Sequence, residues 1–215
     1  MATPIGNLDD ISLRALQILK NVDIIYAEDT RTTSILLNHY EIVNIINSYH
    51  QHSSENKRNT ILKQLVDGEN IALVTDAGTP GISDPGNELI NDLLEKEPSI
   101  KVIPIPGASA LTASLSASGF RADKFVFIGF LPKKKRTKLF KWLIEGKMTF
   151  AFYESPKRLL KTLEVLKEHF NGDTRVVIAR ELTKIHESMY RGKLDDIVIA
   201  SDELKGEIVV IVELR

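Results

Sequence analysis

Cysteine is absent from the 215 residues of this sequence. Its absence excludes disulfides, thiolate zinc sites and a cysteine nucleophile, and it fits a cytoplasmic protein. No apolar run reaches the roughly 18 residues that a membrane helix needs, and no signal peptide opens the sequence, so we expect no association with a membrane. The formal net charge is −1, which gives the whole molecule no attraction for a polyanion. Any binding of nucleic acid must therefore depend on local charge.

Short β-rich runs alternate with amphipathic helices along the sequence, and this alternation predicts an α/β protein with much parallel strand pairing. Strands are predicted at 22–27, 43–49, 71–75, 101–105, 125–129, 149–153, 175–179 and 208–212. Helices are predicted at 10–20, 30–40, 54–66, 87–96, 138–144 and 156–169, with a short helix after Pro106. Asp10 is predicted to cap the first helix, which would place Leu13, Leu16 and Leu19 on one apolar face. The composition turns polar around residues 119–124. We therefore predict two α/β domains of about 100 residues each, with the bounds 1–118 and 119–215.

The segment DAGTPGISDPG at Asp76–Gly86 is the most informative in the sequence. It follows a predicted buried strand and precedes a predicted helix. Glycine lets a ligand approach the backbone closely, and proline makes a loop rigid. Ligands of open α/β sheets bind beyond the carboxyl ends of the strands, which is where this loop is expected. A purely structural crossover loop is the alternative, although so much turn chemistry with two acids exceeds what a connection needs.

This loop lacks both the Walker lysine and the Rossmann glycine pattern, the usual signatures of phosphate binding. Asp76 and Asp84 would also repel a pyrophosphate. Acids and backbone groups better suit a ligand with hydroxyls and positive charge, such as S-adenosylmethionine. Two further turns have a similar composition, TPIGN at Thr3–Asn7 and PGASA at Pro106–Ala110. Three such loops at strand ends would converge on one side of a parallel sheet, although Pro-Gly turns are also common between elements.

A series of ordered motifs spans almost the whole sequence. They are ATPIGN, AEDTR, SYH, DAGTPGISDPG, PIPGASALTASLSASG, GFLPKK, FYESPKRL, ARELTKIHE and KGEIVVIVE. In this order they closely resemble the small-subunit ribosomal RNA methyltransferase I family, a branch of the tetrapyrrole methylase superfamily. Family members usually have a hydrophobic strand before the first motif, and longer members have a C-terminal extension after the last one. Neither is in this sequence.

The resemblance implies 2′-O-methylation of a cytidine in small-subunit (16S) ribosomal RNA, with S-adenosylmethionine as the methyl donor. It also implies two α/β domains with the cofactor in the cleft between them, and a homodimer. The implied partner is ribosomal RNA or the assembled 30S subunit. Two alternatives stay open. One is a methyltransferase of a corrin or porphyrin ring, and the other is a non-catalytic RNA-binding protein.

By its motifs, the resemblance implies a cofactor site formed largely by backbone groups. Its expected residues are Ile5, Gly78, Thr79, Ile82, Ser109, Ala110, Tyr153 and Ala179. Methyl transfer needs an in-line arrangement from which water is excluded, and a ribose hydroxyl needs a nearby base or a polarising cation. Charged residues follow several predicted strands, and among them we predict the catalytic residues Glu154, Arg180, Glu181 and Lys184. A structural salt-bridge network is an equally good account of these charges.

One dense basic cluster follows Phe130-Leu131-Pro132 and is a candidate surface for phosphate contacts. Including charges elsewhere that could extend this surface, the predicted RNA-binding residues are Arg31, Lys133, Lys134, Lys135, Arg136, Lys157 and Arg158. Charge runs are usually just solvated, so the resemblance strengthens this prediction. His50 and His52 lie close together without a third ligand, and methyl transfer needs no metal, so no metal site is expected.

Overall fold

The computed structural model describes residues 1–132, 134, 136–200 and 204–214. The chain divides into two compact units, Met1–Ser109 and Ala110–Arg215. The predicted boundary at Ser118 falls one helix later than this division. The helix in question belongs with the second unit because Leu111 and Leu115 pack into the core of that unit's sheet.

The first unit contains a parallel sheet between helices. Its elements in chain order are α1 (Leu13–Asn21), β1 (Ile24–Ala27), α2 (Thr30–His39), β2 (Ile45–Ser48), α3 (Glu55–Val66), β3 (Ile71–Val74) and α4 (Asn87–Lys96). Within the described residues the strand order is β2-β1-β3, and both pairings are parallel. All three strands therefore end at the same edge of this sheet.

Strand β1 is buried on both faces, as expected for the central strand of a covered parallel sheet. Ile25 and Ala27 pack into one apolar cluster, which includes Leu36 of α2. Ile24 and Tyr26 pack into a second cluster on the opposite face of the sheet. The alternation of side chains along the strand thus supplies two cores, and it fixes the register that brings the strand ends together.

Three details of the first unit differ from the predictions. Ser12, rather than Asp10, caps α1, because its hydroxyl accepts the hydrogen bond from the amide of Ala15 at 3.1 Å. Leu13, predicted to lie on the apolar face, is 80% exposed. The predicted strand at 101–105 is also wrong, since these described residues form no regular strand. A backbone hydrogen bond instead joins the Ile105 carbonyl to the amide of Ala2.

The second unit contains a mixed sheet. Its elements are α5 (Ala110–Ser118), β4 (Phe125–Phe130), α6 (Arg136–Gly146), β5 (Thr149–Glu154), α7 (Pro156–His169), β6 (Arg175–Arg180), β7 (Ser188–Lys193) and β8 (Ile208–Glu213). In the described part of the chain the strand order is β4-β5-β8-β6-β7. Strands β4 and β5 are parallel, whereas β8 is antiparallel to both β5 and β6. The carboxyl ends of β4, β5 and β6 therefore lie at one edge of the sheet.

Strand β8 is the centre of this sheet, and all six of its residues are buried. Its side chains alternate between two apolar clusters, one around Phe140 and Phe150 and the other around Leu111 and Leu115. Strand β7 was not predicted from the sequence. It is an edge strand, half-buried or exposed throughout, so it lacks the apolar run by which the other strands were found.

Candidate functional site

The three Gly/Pro loops of the first unit are joined by hydrogen bonds. Thr3 and Gly78 exchange two backbone hydrogen bonds, with N···O distances of 2.9 and 3.1 Å. The amide of Ala2 donates to the carbonyl of Ile105, which directly precedes the third loop. The hydroxyl of Thr79 donates to the carbonyl of Ala108 at 3.3 Å. The three loops therefore converge as predicted, but of the three only the Asp76–Gly86 loop follows a described strand.

Two glycines allow this close approach of backbones. Gly78 has a φ of +78°, and a Cβ added there would lie 3.5 Å from Cγ2 of Ile5 and 3.8 Å from the carbonyl oxygen of Ala108. A Cβ added at Gly107 would lie only 2.9 Å from that of Ala2. Side chains at either position would occupy the space in which the loops meet. The junction is therefore built from backbone groups, as a site that holds its ligand through the main chain requires.

Three acids gather beside this junction, at the carboxyl ends of β1 and β3. The amide of Asp29 donates to Oδ1 of Asp76 at 3.0 Å, and the amide of Asp76 lies 3.5 Å from Oε2 of Glu28. Burial raises the pKa of Glu28, and the negative charge of Asp76 adds to that rise, although hydrogen bonding and His50 act against it. This edge of the sheet thus favours a proton or a cationic ligand.

The pKa of Asp29 is shifted in the opposite direction from that of Glu28. Hydrogen bonds from the Arg31 side chain and backbone lower its pKa to about 2. The Arg31 guanidinium forms an ion pair with the Asp29 carboxylate at 2.6 Å. Asp29 also caps α2 by accepting the amide hydrogen of Arg31. The Asp29 carboxylate therefore interacts with the first turn of α2. Glu28 and Asp76 are the acids of this group that could contact a ligand.

Thr75, at the end of β3, was missed by the sequence reasoning. Its side chain is 2% exposed, and its hydroxyl has no hydrogen-bond partner among the described residues. Its carbonyl accepts the hydroxyl hydrogen of Thr3 at 3.1 Å. A buried hydroxyl without a partner costs free energy. Its place directly before the Asp76–Gly86 loop makes it a further candidate for ligand contact, and a threonine ending an apolar run is the signal that sequence offers.

The expected cofactor residues fall in both units. The structure brings Ile5, Gly78 and Thr79 together at the loop junction, and Ile82 lies exposed in the same Asp76–Gly86 loop. Ser109 is the last residue of the first unit. Three residues belong to the second unit, where Ala110 begins α5, Tyr153 lies in β5 and Ala179 lies in β6. The side chain of Ala179 is buried in the core of its sheet.

The carboxylate of Glu154, a residue predicted to be catalytic, has hydrogen-bond or ion-pair partners on both oxygens within the second unit. One carboxylate oxygen accepts the amide of Ser155 at 2.8 Å, and the other accepts the hydroxyl of Thr162 at 2.7 Å. Arg158 forms an ion pair with it at 3.2 Å, and the carboxylate is wholly buried. The side chain therefore ties the end of β5 to the first turns of α7.

The other predicted catalytic residues form a second network, at the end of β6. Arg180 donates to the hydroxyl of Ser188 and to the carbonyl of His186. Lys184 bridges the carboxylates of Glu181 and Glu207, at 3.0 and 3.2 Å. Burial alone would raise the pKa of Glu181, but hydrogen bonds from Lys184 and from the Glu207 amide outweigh it, and the pKa is lowered. Burial acts to lower the pKa of Lys184, and its acidic partners reverse this and raise it.

Gly206 is required by this network. Its φ is +77°, and a Cβ added there would overlap the Glu181 carboxylate. Glu181 itself has a φ of 50°, which is uncommon for a residue with a side chain. The glycine and the strained glutamate thus form one interlocked unit that holds Lys184 at the strand edge.

Among the described residues of the predicted RNA surface, some side chains are exposed and others are held by hydrogen bonds or ion pairs. Lys134 and Lys157 are exposed, whereas Arg136 donates to the carbonyl of Pro132. Arg158 pairs with Glu154 and also donates to the carbonyl of Leu131. Arg31 pairs with Asp29 in the first unit. Lys133 and Lys135 lie outside the described residues.

The described residues contain neither a cluster of metal ligands nor a membrane-spanning helix. In that part of the chain, no three histidine, cysteine, aspartate or glutamate side chains group as metal ligands would. His50 and His52 are neighbours with ring centroids 6.3 Å apart. Among the same residues, none of the helices is long and apolar enough to cross a membrane.

The family model for tetrapyrrole (corrin/porphyrin) methylases matches residues 2–198. The chain belongs to this family. Two solved structures show the same fold. One is the cobalamin biosynthetic enzyme cobalt precorrin-4 methyltransferase, CbiF, with a TM-score of 0.73, 17% identity, and coverage of 99% of this chain and 92% of that one. The other is the methyltransferase CobJ, with a TM-score of 0.70, 19% identity, and coverage of 97% and 90%.

Closer relatives share much more of the sequence. The chain is 46% identical to ribosomal RNA small subunit methyltransferase I of Synechocystis sp., over 99% of this chain and 77% of the relative. It is 44% identical to the protein of that name from Thermotoga maritima, over 98% of this chain and 95% of the relative. These relatives place the chain, within the tetrapyrrole methylases, in the ribosomal RNA small subunit methyltransferase I branch.

Proposed function

We propose that this protein transfers a methyl group from S-adenosylmethionine to the ribose 2′-hydroxyl of a cytidine in small-subunit ribosomal RNA. The structural observation that supports the proposal is the junction of three Gly/Pro loops at the carboxyl edge of the first sheet. The relatives' names support ribosomal RNA as the class of acceptor, since they are ribosomal RNA small subunit methyltransferases. The junction and the acids beside it suit a cofactor that has hydroxyls and positive charge.

The loop junction fits this cofactor in two respects. Gly78 and Gly107 let the loops pack backbone against backbone, and the hydroxyl of Thr75, which has no partner among the described residues, lies next to the same loop. The proposed cofactor residues are Ile5, Gly78, Thr79, Ile82, Ser109, Ala110, Tyr153 and Ala179. When bound, the cofactor supplies an electrophilic methyl group on a sulfonium. Glu28 and Asp76 provide negative potential that favours such a cation.

The methyl group leaves the sulfur of the cofactor and bonds to the acceptor oxygen, and the hydroxyl proton passes to water. We propose that the network of Arg180, Glu181 and Lys184 at the end of β6 meets the acceptor. In this network the ammonium group of Lys184 is a fixed cation beside the acceptor. Because its acidic partners raise the pKa of Lys184, this cation stays charged at neutral pH. A fixed cation stabilises negative charge that develops on an oxygen. Glu154 would act by positioning Arg158 and the start of α7, since its own oxygens already accept hydrogen bonds from Ser155 and Thr162.

The basic segment after β4 is the proposed contact for RNA phosphates. We expect charge reversal of Lys133, Lys134 and Lys135 to glutamate to weaken RNA binding and to reduce its dependence on salt, because fewer counterions are released. The affinity for S-adenosylmethionine should not change. A matched control reverses Lys57, Lys63 and Lys96 in the first unit. Equal RNA affinity in the two triple variants would assign the basic segment to solubility alone.

The quaternary structure and the natural substrate are part of the same proposal. We infer from the family that the protein works as a cytoplasmic homodimer and that ribosomal RNA or the assembled 30S subunit is its partner. Light scattering after gel filtration measures the mass in solution. A monomer at micromolar concentration would contradict the dimer.

The decisive experiment is methyl transfer from labelled S-adenosylmethionine to 30S subunits that lack the modification, with naked 16S RNA in parallel. Label in 2′-O-methylcytidine would establish the donor, the acceptor atom and the substrate together. Label in another nucleotide or on a base would contradict the proposed acceptor. Transfer to porphyrinoid acceptors instead of RNA would assign the protein to the small-molecule branch of the family.

A further inference from the structure

Phe130 is an aromatic side chain that the sheet leaves open to solvent. It ends β4 and is 55% exposed. Its ring contacts that of Tyr153 edge-to-face, with centroids 5.7 Å apart, and Tyr153 contacts Phe127 in the same way at 5.0 Å. The three rings form a row at the carboxyl edge of the second sheet. The outer member of this row is free to contact another molecule.

An irregularity in β4 places Phe130 in this row. The pairing of β4 with β5 is regular from Phe125 to Phe127 and then shifts by one residue, so that Phe130 pairs with Tyr153. Gly129, within the shift, has a φ of +70°. The arrangement is a β-bulge, which commonly changes the direction of a side chain near a functional site.

Without the bulge, strand alternation would put Phe130 on the other face of the sheet. Val126 and Ile128 pack on that face, against the cluster around Phe140. Phe127 and Tyr153 pack on the opposite face. A regular strand would therefore have placed Phe130 with the first two residues, under α6 and α7. The glycine and the bulge bring the ring to the side of Tyr153 instead.

Leu131 and Pro132, directly after Phe130, are held by two arginines. Leu131 is fully buried, and its carbonyl accepts a hydrogen bond from Arg158 at 2.7 Å. Arg136 donates to the carbonyl of Pro132. Lys134 and Lys157 are exposed close to these residues in the sequence or the fold. The backbone that follows the exposed ring is thus held by Arg136 and Arg158, and exposed lysines lie near it in the sequence.

We propose that Phe130 is a stacking platform for the base of an unstacked nucleotide in the RNA substrate. The inference rests on the proposed function. Proteins recognise single-stranded RNA by stacking splayed bases on aromatic rings while cations hold the backbone. An enzyme that acts on one nucleotide within folded RNA must also draw that nucleotide out of its stack. The bulge, the row of rings and the flanking cations together provide such a surface.

The test compares Phe130→Leu with Phe130→Trp and with Phe125→Leu. Leucine keeps an apolar side chain and removes the ring, whereas tryptophan keeps a stacking surface. Phe125 is the matched control because it lies at the other end of the same strand and is 39% exposed. We expect Phe130→Leu to raise the KM for 30S subunits roughly tenfold, in line with the loss of one stacked base. Phe130→Trp and Phe125→Leu should stay near the wild-type KM.

A second readout reports stacking directly. A short RNA that contains pyrrolocytidine, a fluorescent analogue of cytidine, is titrated with each protein in the presence of S-adenosylhomocysteine. Stacking on the ring should quench the fluorescence with wild type and Phe130→Trp, and much less with Phe130→Leu. This measurement does not need turnover. Wild type that quenches without transferring methyl to RNA would support the platform while contradicting the proposed methyl transfer.

Three results would overturn the inference. Equal KM and equal quenching for wild type and Phe130→Leu would show that the ring does not contact RNA. A loss of S-adenosylmethionine affinity in Phe130→Leu with unchanged RNA binding would make the ring a cofactor contact. Altered self-association of Phe130→Leu, again with unchanged RNA binding, would assign this surface to a protein interface.

Discussion

The two units use charged residues at strand ends in different ways. In the first unit, Glu28 and Asp76 stand at the end of a parallel sheet beside loops that meet through their backbones. In the second, the carboxylates of Glu154 and Glu181 are engaged by neighbouring side chains and amides. Acids after a strand therefore indicate ligand chemistry only where the neighbouring loops leave space. Where a helix or a second loop supplies partners, the same residue types hold the fold together.

Disruption of the loop junction should have the largest effect. Gly78→Arg should weaken S-adenosylmethionine binding about a hundredfold or more, because its side chain would fill the space between Ile5 and Ala108. Isothermal titration calorimetry measures the affinity. Gly68→Arg is the control, since Gly68 also has a positive φ, +95°, but no atom lies within 4 Å of its added Cβ. Equal losses in both variants would mean that backbone strain, not the junction, causes the effect.

The role of Glu154 is the next test of the comparison. Glu154→Ala should reduce the free energy of unfolding by about 3 kcal/mol, because it leaves the buried partners of the carboxylate unsatisfied. Urea denaturation measures this loss. S-adenosylmethionine affinity at low temperature, where the variant stays folded, should be close to wild type. A stable variant without methyl transfer would return Glu154 to the catalytic role predicted from sequence.

Gly206 tests the second network. Gly206→Ala should cost about 1–2 kcal/mol, because alanine is strained at positive φ and its Cβ would displace the Glu181 carboxylate. Thermal unfolding checks the change. Gly192→Ala in β7 is the matched control, since no atom lies within 4 Å of its added Cβ. Similar melting temperatures for wild type, Gly206→Ala and Gly192→Ala would show that the network tolerates a displaced Glu181 side chain.

The smallest expected effect concerns Glu28 and pH. Because the pKa of Glu28 is raised by folding, its contribution to stability is present below its ordinary pKa of 4.5 and is lost as the pH rises through the raised value. Glu28→Gln should therefore gain stability relative to wild type at neutral pH and lose that advantage near pH 4. Melting temperatures across this range give the answer. The reverse order would mean that the Glu28 carboxylate is stabilised by partners.

The pH dependence of stability that Asp29 contributes is opposite in direction to that of Glu28, its neighbour in the sequence. Its folded pKa of about 2 lies below the ordinary value of 3.8, so its stabilising contribution is present above 3.8 and is lost as the pH falls through about 2. Asp29→Asn should accordingly be less stable than wild type at neutral pH. A pH series on the Glu28 and Asp29 variants thus separates the acid open to a ligand from the acid used as a helix cap.

The sequence predicted the strands of the first unit and the junction of its loops because both depend on local signals. Apolar runs mark β1 and β3, and glycine with proline marks the turns that follow them. The helices at Asn87–Lys96 and Pro156–His169 were predicted at their observed ends. Edge strand β7 has no such run, and Lys101–Ile105 has one without forming a strand.

The partners of charged side chains could not be predicted in the same way. Glu154 meets Thr162 across two turns of helix, and Glu181 meets Glu207 from a distant part of the sequence. The bulge at Gly129 depends on the register between two strands. Such features arise from tertiary contacts, and a motif shows only that charges or a glycine are present. Residue identity therefore marked the candidate positions, while the structure showed which of their side chains already have partners.

The position of β8 in the centre of the second sheet has a consequence for synthesis. Strands β5 and β6 are made before it, and neither pairs with the other, so both expose an open edge until Ile208–Glu213 leaves the ribosome. Unpaired edges and an apolar run such as IVVIV favour aggregation. The second unit must therefore complete its folding late, through contacts distant in sequence, and chaperones that shield nascent strands would act on this half of the chain.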